Sequence, residues 1–354
     1  MKRLVMSALS LAAVLATAGT ASAQLAPAPV LAKEIDSYGR PVPFGRPAYL
    51  LGETPLGSGK FKAVMVADET LPTHVLYYPA DLPKAGKLPL IAWGNGACIN
   101  AGNRFRIFLT EIASHGYLVA ANGVMANTEL EVGPQENPPI RVPGAAPPPP
   151  PPPADPNRPQ RAPGRTTPEQ LTESIDWAIK ENARPGSKFF GRIDTSKIAV
   201  MGQSCGGVQT LNVAGDPRIT TLMIWNSGAG MIPNNPATEA LAKIKVPVAF
   251  ISGEQAQDIA YPASAANFEA LNDVPVFFGW EDGMTHIGTY GAPGGGSFGK
   301  IAVAWLNWQL KADAASAKMF KGKGAAISPS TTTPPPEGRW PTARAGRRYR
   351  ATRT

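Results

Sequence analysis

One serine of this chain lies in a local sequence suited to nucleophilic chemistry. Residues 202–206 read Gly-Gln-Ser-Cys-Gly, so Ser204 is the central residue of a G-x-S-x-G pentapeptide. The pentapeptide follows an apolar run over 198–201 and precedes a stretch compatible with a helix. A turn of this kind between strand and helix exposes the serine hydroxyl at the edge of a sheet. An ordinary turn would fit the pentapeptide alone equally well, so the choice depends on the rest of the chain.

A serine hydroxyl becomes a strong nucleophile only when a base removes its proton, and a carboxylate must orient that base. The chain has three histidines. His74 begins an apolar run and His115 ends a helical pattern, so we interpret both as structural. His286 lies in a glycine-containing loop after the last apolar run, where the order nucleophile, acid, base requires the base. We therefore expect His286 to be the base.

The same order places the acid in the loop after the apolar run over 246–252. Asp258 is the favoured candidate in this loop. Glu254 is a weaker candidate because it directly follows the predicted strand and a glycine. Asp282 is so near His286 that it is more typical of a turn residue.

Acyl transfer also needs N–H donors that stabilise the oxyanion. One is expected to be the backbone N–H of Cys205, directly after the nucleophile, and the other should come from the loop after the third strand. In that loop, over 93–98, small residues would let a backbone amide approach a substrate carbonyl. Gly96 or Ala97 is the expected donor, although a simple tight turn also fits this loop taken alone.

The two cysteines of the chain fall in these same two segments. We predict a disulfide between Cys98 and Cys205 that ties the oxyanion loop to the turn of the nucleophile. Two buried free thiols are the alternative. Neither cysteine has the clustering that a zinc site needs, and no metal or other cofactor is expected.

Several aromatic and apolar residues lie at predicted strand ends or in the loops that follow them. Ligands of α/β proteins bind at that edge, so some of these side chains are expected to line a substrate pocket. For each of them, packing in the core is an equally good interpretation. The candidates are Trp93, Trp225, Tyr261, Met284 and Tyr290.

Apolar runs alternate with helical patterns along most of the chain. The predicted strands cover 61–66, 74–78, 88–93, 117–122, 197–201, 219–225, 246–252 and 274–280. The predicted helices cover 104–114, 168–182, 205–214, 262–272 and 297–310. This alternation predicts an α/β fold with a doubly wound, mostly parallel eight-stranded sheet and helices on both faces. The first two strands have no helix between them and are expected to form an antiparallel edge.

The first 23 residues have the pattern of a secretory signal peptide, with Lys2 and Arg3, an apolar run over 4–18 and small residues before Gln24. The sequence therefore predicts an exported protein, periplasmic or secreted, with no membrane span in the mature chain. An uncleaved anchor is the alternative. Residues 24–324 are predicted to form one catalytic domain.

Two segments differ in composition from this domain. Residues 134–165 contain an unbroken proline run over 147–153 and form an insertion, interpreted as a surface loop or as a segment that docks or covers the site. Residues 325–354 form a Pro-, Thr- and Arg-rich tail that is expected to lack fixed structure. The tail accounts for much of the net charge of +8, so the charge does not indicate a nucleic-acid partner. The alternative to a merely solvated end is weak association of this tail with an anionic cell-surface polymer.

The segments over 93–98, 112–117, 202–207 and 258–261 together resemble the α/β-hydrolase superfamily. They are most similar to its secreted serine esterases, often described as dienelactone-hydrolase-like or cutinase/lipase-like. The resemblance implies an α/β-hydrolase fold with Ser204 as nucleophile, Asp258 as acid and His286 as base. The chain departs from dienelactone hydrolases proper, whose nucleophile is cysteine, and from cutinase-type polyesterases, which usually have histidine where Gln203 stands.

These features predict an exported serine hydrolase that cleaves carboxylic esters, small or polymeric, through an acyl-enzyme. A peptidase or acyltransferase would use the same three residues. A noncatalytic surface-binding protein is the alternative from another class. The natural substrate is not encoded in any short motif, because an acyl pocket is assembled from scattered loops.

Overall fold

The computed structural model describes residues 57–126, 164–231 and 237–321, together with the short antiparallel strands β1 (Glu34–Ile35) and β2 (Pro41–Val42). The predicted signal peptide over 1–23, the predicted tail over 325–354 and residues 134–163 of the predicted insertion lie outside the described residues.

Eight strands form one sheet in the order β10-β9-β8-β7-β5-β6-β4-β3. All eight predicted strands are confirmed, with shifts at their ends. They are β3 (Ala63–Ala67), β4 (His74–Pro79), β5 (Leu88–Gly94), β6 (Leu118–Asn122), β7 (Ile193–Gln203), β8 (Thr221–Trp225), β9 (Val248–Ser252) and β10 (Val276–Trp280).

The direction of the strands corrects one part of the predicted fold class. The pairs from β10 through to β6 are parallel, whereas β6 with β4 and β4 with β3 are antiparallel. The sheet is therefore mixed, in place of the mostly parallel sheet that we predicted. A tight connection between β3 and β4 makes the antiparallel edge, because parallel neighbours need a long crossover.

The described helices include the five that the sequence predicted and three short ones that it did not. The five are α2 (Arg106–Ser114), α3 (Pro168–Ala183), α4 (Cys205–Asn212), α6 (Tyr261–Ala270) and α7 (Gly296–Lys311). The short ones are α1 (Leu82–Ala85), α5 (Ala237–Ala242) and α8 (Ala314–Ala317). Helices of four to six residues carry too little periodicity to be predicted from an apolar pattern.

Helices cover both faces of the sheet. Successive residues of β5 point to opposite faces, so Ile91 packs in a core with α2 and α7, while Leu90 packs in a second core with α3 and α4. All seven residues of β5 are buried, which explains why this strand reads as a continuous apolar run. Within the described ranges, none of the helices has the length and hydropathy that a membrane crossing needs.

The carboxyl ends of β5, β7, β8, β9 and β10 lie at one edge of the sheet, because these strands are parallel. The loops after β5, β7, β9 and β10 carry the predicted nucleophile, acid, base and oxyanion donors. The mutual position of these groups is thus set by the register of five adjacent strands.

His74 begins β4, where it pairs with Asn122 at the end of β6, and illustrates a buried neutral histidine. Its Nε2 donates to the carbonyl oxygen of Gln170 at 2.8 Å, and the hydroxyl of Thr73 lies 2.9 Å from Nδ1. Burial lowers the pKa of His74 from 6.5 to about 4, although the bond to Gln170 acts in the opposite direction. The interpretation of this histidine as structural agrees with its position.

Because the pKa of His74 is lowered in the folded protein, we expect the protein to lose stability in mild acid. Between pH 6.5 and pH 4 the unfolded chain binds a proton at His74 that the folded chain does not, so the free energy of unfolding falls as the pH falls. From pH 7 to pH 5 the wild type should lose about 2 kcal/mol more than His74→Gln. Urea unfolding of both proteins at the two pH values measures this difference, and equal losses would contradict it.

Candidate active site

The turn between β7 and α4 holds Ser204 in a strained backbone conformation. Ser204 has φ 52° and ψ −117°, a region that residues with a side chain rarely adopt. The Ser204 N–H donates to the carbonyl oxygen of Trp225 at 2.9 Å, and Val208 N–H bonds the Ser204 carbonyl at 3.1 Å. Ser204 therefore belongs to the hydrogen-bond systems of both β8 and α4, and its side chain remains partly exposed.

Two glycines, Gly202 and Gly206, make this turn sterically feasible. A Cβ at Gly206 would overlap the carbonyl group of Gly94, and a Cβ at Gly202 would overlap the carbonyl group of Gly206. The first turn of α4 thus packs directly against the backbone of β5 and β7. The helix and the strands can approach this closely only because both of these residues are glycine. This explains the two glycines of the G-x-S-x-G pentapeptide in this chain.

His286 lies between the other two predicted residues. Its Nε2 is 2.9 Å from the Oγ of Ser204, and its Nδ1 is 2.7 Å from the Oδ1 of Asp258. An ionised carboxylate only accepts hydrogen bonds, so Nδ1 carries the proton and Nε2 is the acceptor that faces the serine hydroxyl. This arrangement can move a proton from Ser204 to the imidazole.

The carboxylate of Asp258 is buried and fully hydrogen-bonded. Oδ1 accepts from His286 and from the N–H of Ala260 at 2.9 Å. Oδ2 accepts from the side chain of Asn226 and from the N–H of Gly253, both at 2.8 Å. Burial by itself would raise the pKa of Asp258, but the bonds from His286, Ala260 and Gly253 outweigh it, so the pKa lies below its ordinary value. Asp258 is therefore charged at neutral pH.

The two weaker acid candidates lie in the same region but do not contact the imidazole in this way. The Oε2 of Glu254 accepts from the N–H of Gly283 at 2.7 Å and so ties the loop after β9 to the loop after β10. Asp282 is exposed. The geometry favours Asp258 over both.

The predicted oxyanion loop forms a short 3-10 turn, Gly96–Cys98, at the end of β5. Ala97 and Cys98 both have positive φ, 53° and 49°. The side chain of Asn95 fixes the turn from below, because its Nδ2 donates to the carbonyl oxygens of Ala101 at 2.8 Å and Ile99 at 3.1 Å. Ala97 is exposed beside the half-buried Cys205, so its N–H stays a candidate donor.

The predicted disulfide is confirmed. Cys98 and Cys205 are bonded, with 5.3 Å between their Cα atoms. The bond joins the predicted oxyanion loop to the residue that follows Ser204. The side chain of Gln209, one turn further along α4, is buried beside this disulfide. Its Nε2 lies 3.0 Å from the Sγ of Cys98.

The end of the predicted insertion lies beside this bond. Arg165 forms an antiparallel bridge with Ile99, and its guanidinium donates to the carbonyl oxygen of Ala97 at 3.3 Å. The same group lies 3.8 Å from the Sγ of Cys205. A cationic side chain is thus present at the rim of the candidate site.

The five predicted pocket residues differ in their exposure to solvent. Four of them, Trp93, Trp225, Met284 and Tyr290, are buried in the core that packs against α2 and α7. They support the site from beneath and present no surface to a ligand in this structure. Tyr261 is partly exposed at the start of α6, where its ring contacts Trp280, and the pocket role stays a prediction for it.

Sequence reasoning missed two side chains that contact the site. The Nε2 of Gln203 donates to the carbonyl oxygen of His286 at 3.0 Å, so the residue before Ser204 holds the loop that carries His286. Asn226 donates to Asp258 from the end of β8. A polar residue directly after a buried strand, at the edge where the other candidates meet, was the available signal for Asn226.

Part of the chain is also similar to a known protein family. Residues 160–327 match the family model described as PETase: PET hydrolase-like. The matched range includes Ser204, Asp258 and His286 but not the oxyanion loop. No curated protein matches the chain.

This match confirms the resemblance to the α/β-hydrolase superfamily of secreted esterases and cutinase-like enzymes, to which the PETase-like family belongs. It indicates a hydrolase that acts on esters.

We expect the disulfide to contribute measurably to the free energy of unfolding. It closes a sequence separation of 107 residues, and removal of Cys98 and Cys205 together by alanine should lower the free energy of unfolding by about 2–5 kcal/mol. Urea unfolding with and without a reductant measures the effect. The double variant, which has no disulfide, is the control and should not respond to the reductant. A reduced wild type with an unchanged transition, its thiols verified by titration, would contradict the prediction.

Proposed function

We propose that this protein is an exported serine hydrolase that cleaves carboxylic esters through an acyl-enzyme intermediate. The observation that supports it most is the continuous line of hydrogen bonds from Ser204 Oγ through His286 to Asp258, at 2.9 and 2.7 Å. The three residues are far apart in sequence, so their approach depends on three separate loops. The ester-hydrolase family match points in the same direction.

In the proposed reaction His286 Nε2 takes the hydroxyl proton while Ser204 Oγ attacks the ester carbonyl carbon. The imidazolium then gives that proton to the leaving alkoxide, which departs as the alcohol and leaves an acyl-serine. A water molecule, deprotonated by the same imidazole, hydrolyses the acyl-serine. Asp258 keeps the proton on Nδ1 and stabilises the imidazolium.

The backbone N–H groups of Cys205 and of Gly96 or Ala97 are the proposed oxyanion donors. Cys205 is the first residue of α4 and directly follows Ser204, so its N–H has no acceptor within the helix. The disulfide between Cys98 and Cys205 holds the two donor segments together. Preorganised donors of this kind cost no reorganisation when the charge develops.

The rim of the site has both apolar and cationic features. Ile259, next to the acid, is 67 % exposed, and Tyr261 is partly exposed beside it. Arg165 lies on the other side, at the oxyanion loop. We therefore propose an apolar or aromatic ester, small or polymeric, as the substrate class. A series of p-nitrophenyl esters of rising chain length, together with an aromatic polyester film, ranks these substrates.

Export of the protein and a single catalytic domain over 24–324 are part of the proposal. The signal-peptide pattern in the sequence supports export, and a disulfide is expected in an oxidising compartment. Fractionation of expressing cells, with mass determination of the mature amino terminus, tests both the location and the cleavage after Ala23.

Substitution of the nucleophile should abolish turnover without unfolding the protein. Ser204→Ala is expected to lower kcat on a short-chain p-nitrophenyl ester by about four to six powers of ten. Ser174→Ala, a buried serine of α3 whose hydroxyl bonds the carbonyl of Leu171, is the matched control and should retain wild-type kcat. Folded Ser204→Ala protein that remains fully active would refute the assignment.

A second pair of variants tests the acid. Asp258→Asn removes the charge that stabilises the imidazolium and should lower kcat by about 10⁴-fold. Glu254→Gln keeps an acceptor for the N–H of Gly283 and should change kcat by no more than a few fold. The reverse result would assign the acid to Glu254.

Two further measurements separate the alternative functions. Faster turnover of an amide, or transfer to an added alcohol, would indicate a peptidase or an acyltransferase with the same three residues. Deletion from Pro329 onward should leave turnover of a soluble ester unchanged. A protein without turnover of any acyl substrate, whose binding to cell-surface polymer depends on this tail, would instead be a noncatalytic binding protein.

A further inference from the structure

The strand β8 contributes a residue to the site that the proposed reaction does not use directly. Asn226 follows β8 and is completely buried. Its φ is 43°, in the left-handed region, which asparagine tolerates better than most residues with a side chain. Its N–H donates to the carbonyl oxygen of Ile251 at 2.6 Å, so the backbone is anchored to β9 in this conformation.

The side chain of Asn226 connects two loops. Nδ2 donates to Asp258 Oδ2 at 2.8 Å, and Oδ1 accepts from the hydroxyl of Tyr290 at 2.7 Å. The carboxylate can only accept, so the amide must face it with Nδ2, and Oδ1 is then left to face Tyr290. Burial raises the pKa of Tyr290 well above its ordinary value, so its hydroxyl stays protonated and is the donor.

Tyr290 belongs to the same loop as His286, four residues further along the chain. Its ring is fixed by edge contacts to several aromatic neighbours, which are Trp93, Phe105, Phe108, Trp225 and Phe298. The hydroxyl is therefore presented to Asn226 from a rigid position.

These contacts form a closed ring. It runs from His286 to Asp258, from Asp258 to Asn226, from Asn226 to Tyr290, and back along the backbone to His286. Rotation of the Asp258 carboxylate away from the imidazole would break the bonds of Oδ2 as well as those of Oδ1. A shift of the His286 loop would pull Tyr290 away from Asn226.

We propose that Asn226 and Tyr290 are positioning residues for this site, which set the orientation of the Asp258 carboxylate toward His286. The proposal rests on the proposed ester-hydrolase function. Asn226 acts on the carboxylate, and Tyr290 acts only through Asn226, because its hydroxyl donates to Oδ1 and holds the amide in place against Asp258. Without that hydroxyl the amide is held on one side only, and its bond to Asp258 Oδ2 is less well fixed in direction.

The experiment measures kcat and KM on a short-chain p-nitrophenyl ester for Tyr290→Phe, Asn226→Gly and the double variant. Tyr290→Phe keeps the aromatic ring, and glycine accepts the backbone conformation of Asn226. We expect kcat to fall about tenfold for Tyr290→Phe and about a hundredfold for Asn226→Gly, with KM unchanged within twofold. The double variant should be no slower than Asn226→Gly, because Tyr290 has no effect without the amide.

Tyr117→Phe is the matched control. Its hydroxyl also donates to an asparagine Oδ1, that of Asn307, at 2.7 Å, and its ring is also buried. Tyr117 precedes β6, at the sheet edge opposite the site. Both tyrosine variants should unfold at a lower temperature than the wild type, while the kcat of Tyr117→Phe stays at the wild-type value.

The outcomes separate this proposal from the proposed function. Ser204→Ala is measured in parallel, and if it remains active the hydrolase assignment itself fails. If Ser204→Ala is inactive but Tyr290→Phe has wild-type kcat, only the positioning role is overturned. Losses in kcat that multiply in the double variant would also overturn it, since Tyr290 would then act independently of Asn226.

Discussion

The buried carboxylate of Asp258 is the constraint on which the site depends. An ionised carboxylate taken out of water is costly unless donors replace its hydration, and both oxygens here have two donors each. These donors come from the strand end at Asn226, from the backbone of Gly253 and Ala260, and from the loop of His286. The charge therefore fixes the mutual position of three loops at one edge of the sheet.

The second constraint is backbone strain, which is concentrated at the same edge. Five non-glycine residues among those described have positive φ. Four of them surround the site, namely Ala97, Cys98, Ser204 and Asn226. Each costs about 1–3 kcal/mol and persists only where the surroundings hold it. The disulfide holds Cys98, the sheet and α4 hold Ser204, and β9 holds Asn226.

Much of the fold followed from the sequence because buried strands leave a strong pattern. All eight strands and the five longer helices were predicted, and so were the disulfide and the antiparallel position of β3 and β4. The sheet was predicted to be mostly parallel but is mixed. The short helices were not predicted. At the site, Gln203 and Asn226 were missed, since hydrogen-bond partners distant in sequence leave no local periodicity.

The sequence by itself determined the class of fold and the types of residue able to do the chemistry. The signals for these were local: the strand propensity, the two glycines around Ser204 and a single histidine in a suitable loop. Local properties of this kind can be recognised from the order of the residues. Only the tertiary structure decided which carboxylate meets His286, why Trp93 and Tyr290 lie in the core, and how Asn226 reaches Asp258. Those outcomes depend on strand register and side-chain packing across the sheet, which are set by contacts between residues far apart along the chain.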